Sequence, residues 1–278
     1  MDIEDIFSNQ AKNTVKSENT EIKFAVLDSL IADPIIHGLD QKYEIIRTNP
    51  LNCAKRLKEG MVSSALIDTL DYAKGKGSWK LIPDFCIASK GQFKTINLFF
   101  NKEIRDLKSV AINADDPTAK ALLKIIMQEK YEISPDIKII KGDLAEKLNK
   151  ADAALISGNT AFILQQSNKM FIDLVDEWCD LTGLPFVYGL WTVHEMGLSQ
   201  KPIDALRTLM EINIKNQAGA LKSAFKKYGD NEPVYADFVN TSITYRLGME
   251  EKDAINEFFR YAFFFGMIEH IPDFHFIN

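Results

Sequence analysis

A chain of 278 residues, 46% of them hydrophobic, is long enough to bury more core than one small lobe needs. Its net charge of −6 offers no basic face to a phosphate backbone, so nucleic acid is not an expected partner. No run of about 18 apolar residues occurs, and the late apolar stretch 258–268 is interrupted by Arg260, so no membrane span is expected either.

Residues 1–20 are polar and mixed in charge, without the basic and apolar regions of a secretory signal; they are expected to be a disordered leader on a cytoplasmic protein. The apolar run 22–27 then predicts a strand, and Asp33-Pro34 opens a helix over 35–39. A second strand over 43–48 runs into Asn49-Pro50, which starts a helix with Leu51, Ala54 and Leu57 on one face, ended by Glu59-Gly60. A third strand, 62–67, points into Asp68-Thr69. Such alternation predicts parallel βαβ units, whose ligands gather at the carboxyl ends of strands.

Extended runs follow over 80–89 and 94–100. The strand 109–113 leads through Asp115-Asp116-Pro117-Thr118 into a helix over 119–130, and 137–140 and 153–157 give two more strands around a helix at 143–149. The helix end and strand around Gly183 to Trp191 return the chain, and from Val193 the pattern is helical, over 201–228, 233–245 and 252–267. The expected fold class is therefore α/β with two lobes and a ligand cleft between them. The first lobe comprises 21–103 and 186–278, the second 104–185.

Chemistry is sought at strand ends. The turn at Asp116 to Ala119 presents either a capped helix or an anion site made of free N–H groups; two adjacent carboxylates would repel an anion unless the helix uses them. Ser157-Gly158-Asn159-Thr160 repeats that design at the same edge, again as turn or as site. Asp28 and Ser29 follow the first strand, with Asp28 as a helix cap or a base. Tyr188 and its aromatic neighbours in the return strand pack or stack on a ring. Cys53, Cys86 and Cys179 are too scattered for a disulfide framework or a zinc site, and His37, His194, His270 and His275 lack metal-binding spacing, so no metal is expected. Neither a phosphate-binding glycine loop nor a nucleophile elbow occurs.

The stretch Glu177-Trp178, Leu181-Thr182-Gly183-Leu184-Pro185-Phe186-Val187 and Trp191 resembles the hinge of the futalosine-pathway menaquinone biosynthesis proteins, in their chorismate dehydratase branch. Asp33-Pro34-Ile35 with Gly38-Leu39, Ile87-Ala88-Ser89 with Gly91, and Tyr245-Arg246-Leu247-Gly248 also resemble that family, in the same order along the chain. The resemblance implies a periplasmic-binding-protein type II fold used as a cytoplasmic lyase. That lyase removes water from chorismate to give 3-[(1-carboxyvinyl)oxy]benzoate, with no cofactor and a small anionic substrate as partner; it leaves the oligomeric state open. Substrate is expected to meet Ser29, Asp68, Ser89 and Thr95 from the first lobe and Thr118, Ala119, Ser157 and Asn159 from the second. Ile31 stands where members using chorismate carry an Asn, and Ser157 stands in the turn where the sister branch carries a His. The alternative expectations are a non-catalytic carboxylate-binding protein and an enzyme acting on another cyclic acid.

Overall fold

The computed structural model describes residues 22–75, 77–194, 198–228 and 232–277; the leader at 1–20 lies outside them. In chain order the elements are β1 (Lys23–Leu27), α1 (Asp33–Ile36), β2 (Glu44–Thr48), α2 (Pro50–Lys58), β3 (Ser64–Asp68), α3 (Thr69–Lys74), β4 (Trp79–Ser89), β5 (Ile96–Phe100) and β6 (Ser109–Ile112). Then come α4 (Pro117–Glu129), β7 (Asp136–Ile139), α5 (Leu144–Leu148), β8 (Ala153–Ser157), α6 (Asn159–Leu164), β9 (Met170–Asp173) and α7 (Leu174–Thr182). The chain ends with β10 (Phe186–His194), α8 (Gln200–Lys215), α9 (Gln217–Tyr228), α10 (Glu232–Ser242), β11 (Ile243–Arg246) and α11 (Met249–Phe264).

Two sheets result. The first has six strands in the order β11-β4-β10-β3-β1-β2, the second five in the order β7-β6-β8-β5-β9. β1 lies parallel to β2 and β3, as the βαβ pattern predicts, whereas β10 runs antiparallel to both β3 and β4. The strands β1, β3 and β10 are buried along nearly their whole length, which is why apolar residues dominate their centres.

Two expectations are corrected. Residues 94–100 were expected in the first lobe, but β5 pairs antiparallel with β8 and β9, so the outward crossing falls between Ser89 and Ile96 and carries Thr95 to the second sheet. Its five residues are all buried, and only a place inside a sheet covered on both faces satisfies them. Residues 243–245 were expected at the end of a helix; with Arg246 they form β11 instead, where alternating burial of Ile243-Thr244-Tyr245-Arg246 suits an edge strand on β4.

The return crossing is built by α7 and β10. Gly183, at φ 72°, takes the left-handed position that ends α7, its N–H donating to the Cys179 carbonyl at 2.8 Å. One turn back, Trp178 is fully buried and donates its Nε1–H to the Pro185 carbonyl at 3.1 Å. Among the described residues, no helix is long and apolar enough to cross a membrane.

Candidate functional site

The carboxyl ends of β1, β2, β6 and β8 converge on a cavity of about 310 Å³ between the two sheets. That is near the lower end of ordinary small-molecule sites. Neutral polar side chains dominate its wall: Ser29, Thr48, Asn49, Thr95, Asn113, Ser157 and Tyr188. Ile31 and Leu27 add an apolar side, and Asp28, Asp115 and Asp116 supply carboxyls. Among the described residues, no lysine or arginine lines it.

Three of the eight expected site residues, Ser29, Thr95 and Ser157, lie in this wall. The other five are engaged by the fold. Asp68 caps α3, accepting the Asp71 N–H at 2.7 Å. Ser89 donates within its own turn, toward the Gly91 and Gln92 carbonyls. Ala119 gives its N–H to the Asp116 Oδ1 at 2.9 Å, so the helix N-terminus expected to hold an anion is closed by its own cap.

Thr118 and Asn159 span the seam between the sheets. Thr118 Oγ1 accepts the Leu70 N–H at 3.1 Å, and Asn159 takes the Leu30 N–H on Oδ1 at 2.9 Å while its Nδ2 donates to the Asp28 carbonyl at 3.3 Å. The sequence places both at strand ends facing the seam; that they reach the opposite backbone depends on how the sheets meet. Thr118→Val orphans a buried N–H and is expected to cost about 1–3 kcal/mol in chemical unfolding. Asn159→Leu is expected to raise the radius of gyration in solution scattering; unchanged scattering would show that the seam holds without this residue.

The wall also contains residues the sequence did not single out as ligands. Thr48 and Asn49 end β2 as Ser29 follows β1, and the same strand-end rule points to them. Asn113 has no local signal at all. Its Oδ1 accepts from the ammonium of Lys147, a side chain only 1% exposed, at 2.8 Å. A lysine ammonium can only donate, so the amide oxygen is turned toward it and Nδ2 is left to donate elsewhere. Burial pushes the Lys147 pKa down.

The electrostatics are unusual around Asp116, which is 7% exposed. Burial raises its pKa, and hydrogen bonds from the Ala119 amide and the Ser157 and Tyr188 hydroxyls partly offset this. Across the seam, burial raises Asp68 well above the usual carboxylate range, with Asp71 and Asp116 adding to the effect. Asp71 is pushed up to about 6, mainly by burial. The Asp68 Oδ2 is buried without a hydrogen-bond partner.

Two open α/β sheets around a polar cavity at their strand ends define a periplasmic-binding-protein fold. Solved structures agree. A protein of Archaeoglobus fulgidus is similar with a TM-score of 0.72 at 17% identity, over 89% of this chain and 98% of that one. A Candida albicans protein described as having the generic periplasmic binding protein fold gives 0.66 at 10% identity, over 91% and 92%. The periplasmic aliphatic sulphonate binding protein of Escherichia coli gives 0.59 at 13%, over 92% and 93%. The chain belongs to the menaquinone biosynthesis family, whose model matches residues 22–263. A curated relative, the chorismate dehydratase of Thermus thermophilus, is 27% identical over 193 residues, 63% of this chain and 70% of that one.

Proposed function

We propose that this protein is a chorismate dehydratase, removing water from chorismate to give 3-[(1-carboxyvinyl)oxy]benzoate in menaquinone biosynthesis. The observation that carries the reading is a cavity walled mainly by neutral hydrogen-bonding side chains, without a lysine or arginine among the described residues, in a chain of this family. Neutral donors bind an anion with a smaller loss of its basicity than a lysine or arginine would cause, so a substrate carboxylate can still take a proton. Ser29, Thr95 and the Asn113 amide are the proposed carboxylate donors, Ser157 lines the wall with its hydroxyl on Asp116, and Ile31 packs against the ring. The seam residues Thr118 and Asn159 act by holding the two units, 21–103 with 186–278 and 104–185 apart from β5, closed around the substrate. Closure fixes the reacting atoms in place, and aromatisation supplies the driving force. The proposal includes a cytoplasmic location.

A second reading, a carboxylate-binding protein without catalysis, is favoured by Ile31 and by the three carboxyls in the wall. Incubation of the purified protein with chorismate is expected to yield the aromatic enol ether, separated chromatographically. Saturable binding without product would leave only the second reading.

A further inference from the structure

Asp116 is the buried carboxyl of the cavity wall, and both its oxygens are held: Oδ1 by the Ala119 N–H at 2.9 Å, Oδ2 by the Tyr188 hydroxyl at 3.0 Å. The two oxygens have four acceptor positions, and with the Ser157 hydroxyl as a third donor one position is left for a proton or a ligand. Asp28 is exposed and Asp115 half-buried. Asp116 is thus the carboxyl of this wall withdrawn from solvent and fixed from two elements, α4 and β10.

Its surroundings shift its affinity for a proton. Asp115 lies beside it in the same turn, Asp68 and Asp71 face it from β3 and α3, and Tyr188 faces it from β10. The Asp68 charge acts on Cys53, and Lys74 acts on Asp71 rather than on Asp116. Burial, with Asp115 adding to it, makes Asp116 hold its proton more firmly than a carboxyl in water, against the pull of its three hydrogen bonds.

We propose that Asp116 is the general acid that protonates the departing ring hydroxyl of chorismate, with Tyr188 positioning it. The inference rests on the dehydratase reading and names a catalytic residue within it. Hydroxide leaves carbon poorly and water leaves well, so the elimination gains from a proton delivered to the oxygen. The C–O bond breaks with its electron pair passing to the oxygen, which takes the Asp116 proton and departs as water. The neighbouring C–H pair forms the new ring double bond, and its proton goes to the substrate's own enolpyruvyl carboxylate. Relay of that proton through the released water back to Asp116 restores the enzyme, and the balance closes.

The test is the pH profile of kcat with chorismate for wild type, Asp116→Asn and Tyr188→Phe. Asparagine still accepts the Ala119 N–H and can donate to the Tyr188 oxygen, so KM is expected to stay within about threefold while kcat falls about 100-fold or more. The alkaline limb of the wild-type profile is expected to vanish with it. Tyr188→Phe removes a hydrogen bond that favours the carboxylate, so its alkaline limb is expected to move up by about one pH unit. A wild type that turns over, with a variant Asp116→Asn of unchanged kcat or a Tyr188→Phe limb that does not move, overturns the assignment alone. A wild type that makes no product overturns the dehydratase reading and the assignment together.

Discussion

Trp178→Ala is expected to destabilise the protein by about 3–5 kcal/mol, the range for deleting a large buried aromatic. Trp178 is 0% exposed and meets Phe186, Phe258 and Tyr261 edge to face, with ring centroids 5.8, 6.0 and 5.7 Å away. These neighbours belong to β10 and α11, so one side chain ties the helix of the second unit to the central strand and the covering helix of the first. Alanine leaves a cavity at that junction and frees the Pro185 carbonyl from its indole partner. Backbone relaxation cannot fill the space easily, because the Gly183 turn fixes the exit of α7. Trp178→Phe is expected to keep most of the packing and lose chiefly the hydrogen bond. Urea unfolding of both variants checks this; a loss under about 1 kcal/mol for alanine would contradict the central place given to Trp178.

The second large effect depends on pH. Asp68→Asn is expected to stabilise the protein at pH 8 and to do little at pH 4. Burial and neighbouring carboxyls raise the Asp68 pKa in the folded state, and Asp71 and Asp173 are both pushed up to about 6. A carboxyl whose folded pKa is raised binds its proton more tightly in the native state. Its favourable contribution is therefore complete below the unfolded pKa near 4 and is lost as pH rises through the folded value. For Asp71 and Asp173 that window runs from about 4 to 6; for Asp68 it extends higher. The asparagine side chain would keep the acceptor that caps α3 and place a donor where the Asp68 Oδ2 has no partner. The gain at pH 8 is expected at about 1–3 kcal/mol, measured as the difference in denaturation midpoints at the two pH values. Equal destabilisation at both would show that the cap alone matters.

Much of the scaffold was legible because each signal was local. The apolar runs at 22–27, 62–67, 109–113 and 153–157, each followed by a turn, became β1, β3, β6 and β8, and Asn49-Pro50 and Asp116-Pro117 became helix starts. What failed was pairing. Nothing within Ile96–Phe100 says which sheet it joins, since both offer a buried slot, and β11 is too short for its alternation to outweigh the helix before it. The site divided in the same way. Strand ends located Ser29, Thr95 and Ser157 in the cavity wall, but whether a polar side chain there meets a ligand or the opposite unit is decided by closure. Thr118 and Asn159 meet backbone across the seam, and Asn113 depends on a lysine from α5.

The place of β10 has a consequence for synthesis. It fills the middle of the six-stranded sheet, between β3 and β4, yet it follows every strand of the other sheet in the chain. As the chain leaves the ribosome, the five-stranded sheet has all its strands while the first still has a gap at its centre. Until Phe186–His194 emerges, β3 and β4 have no strand between them to join them, and their apolar edges stay unpaired. Long-range pairing of this kind slows folding and lengthens the time a nascent chain exposes sticky edges. The segment that ties the two units together is thus also the last piece the first sheet needs before its centre can close.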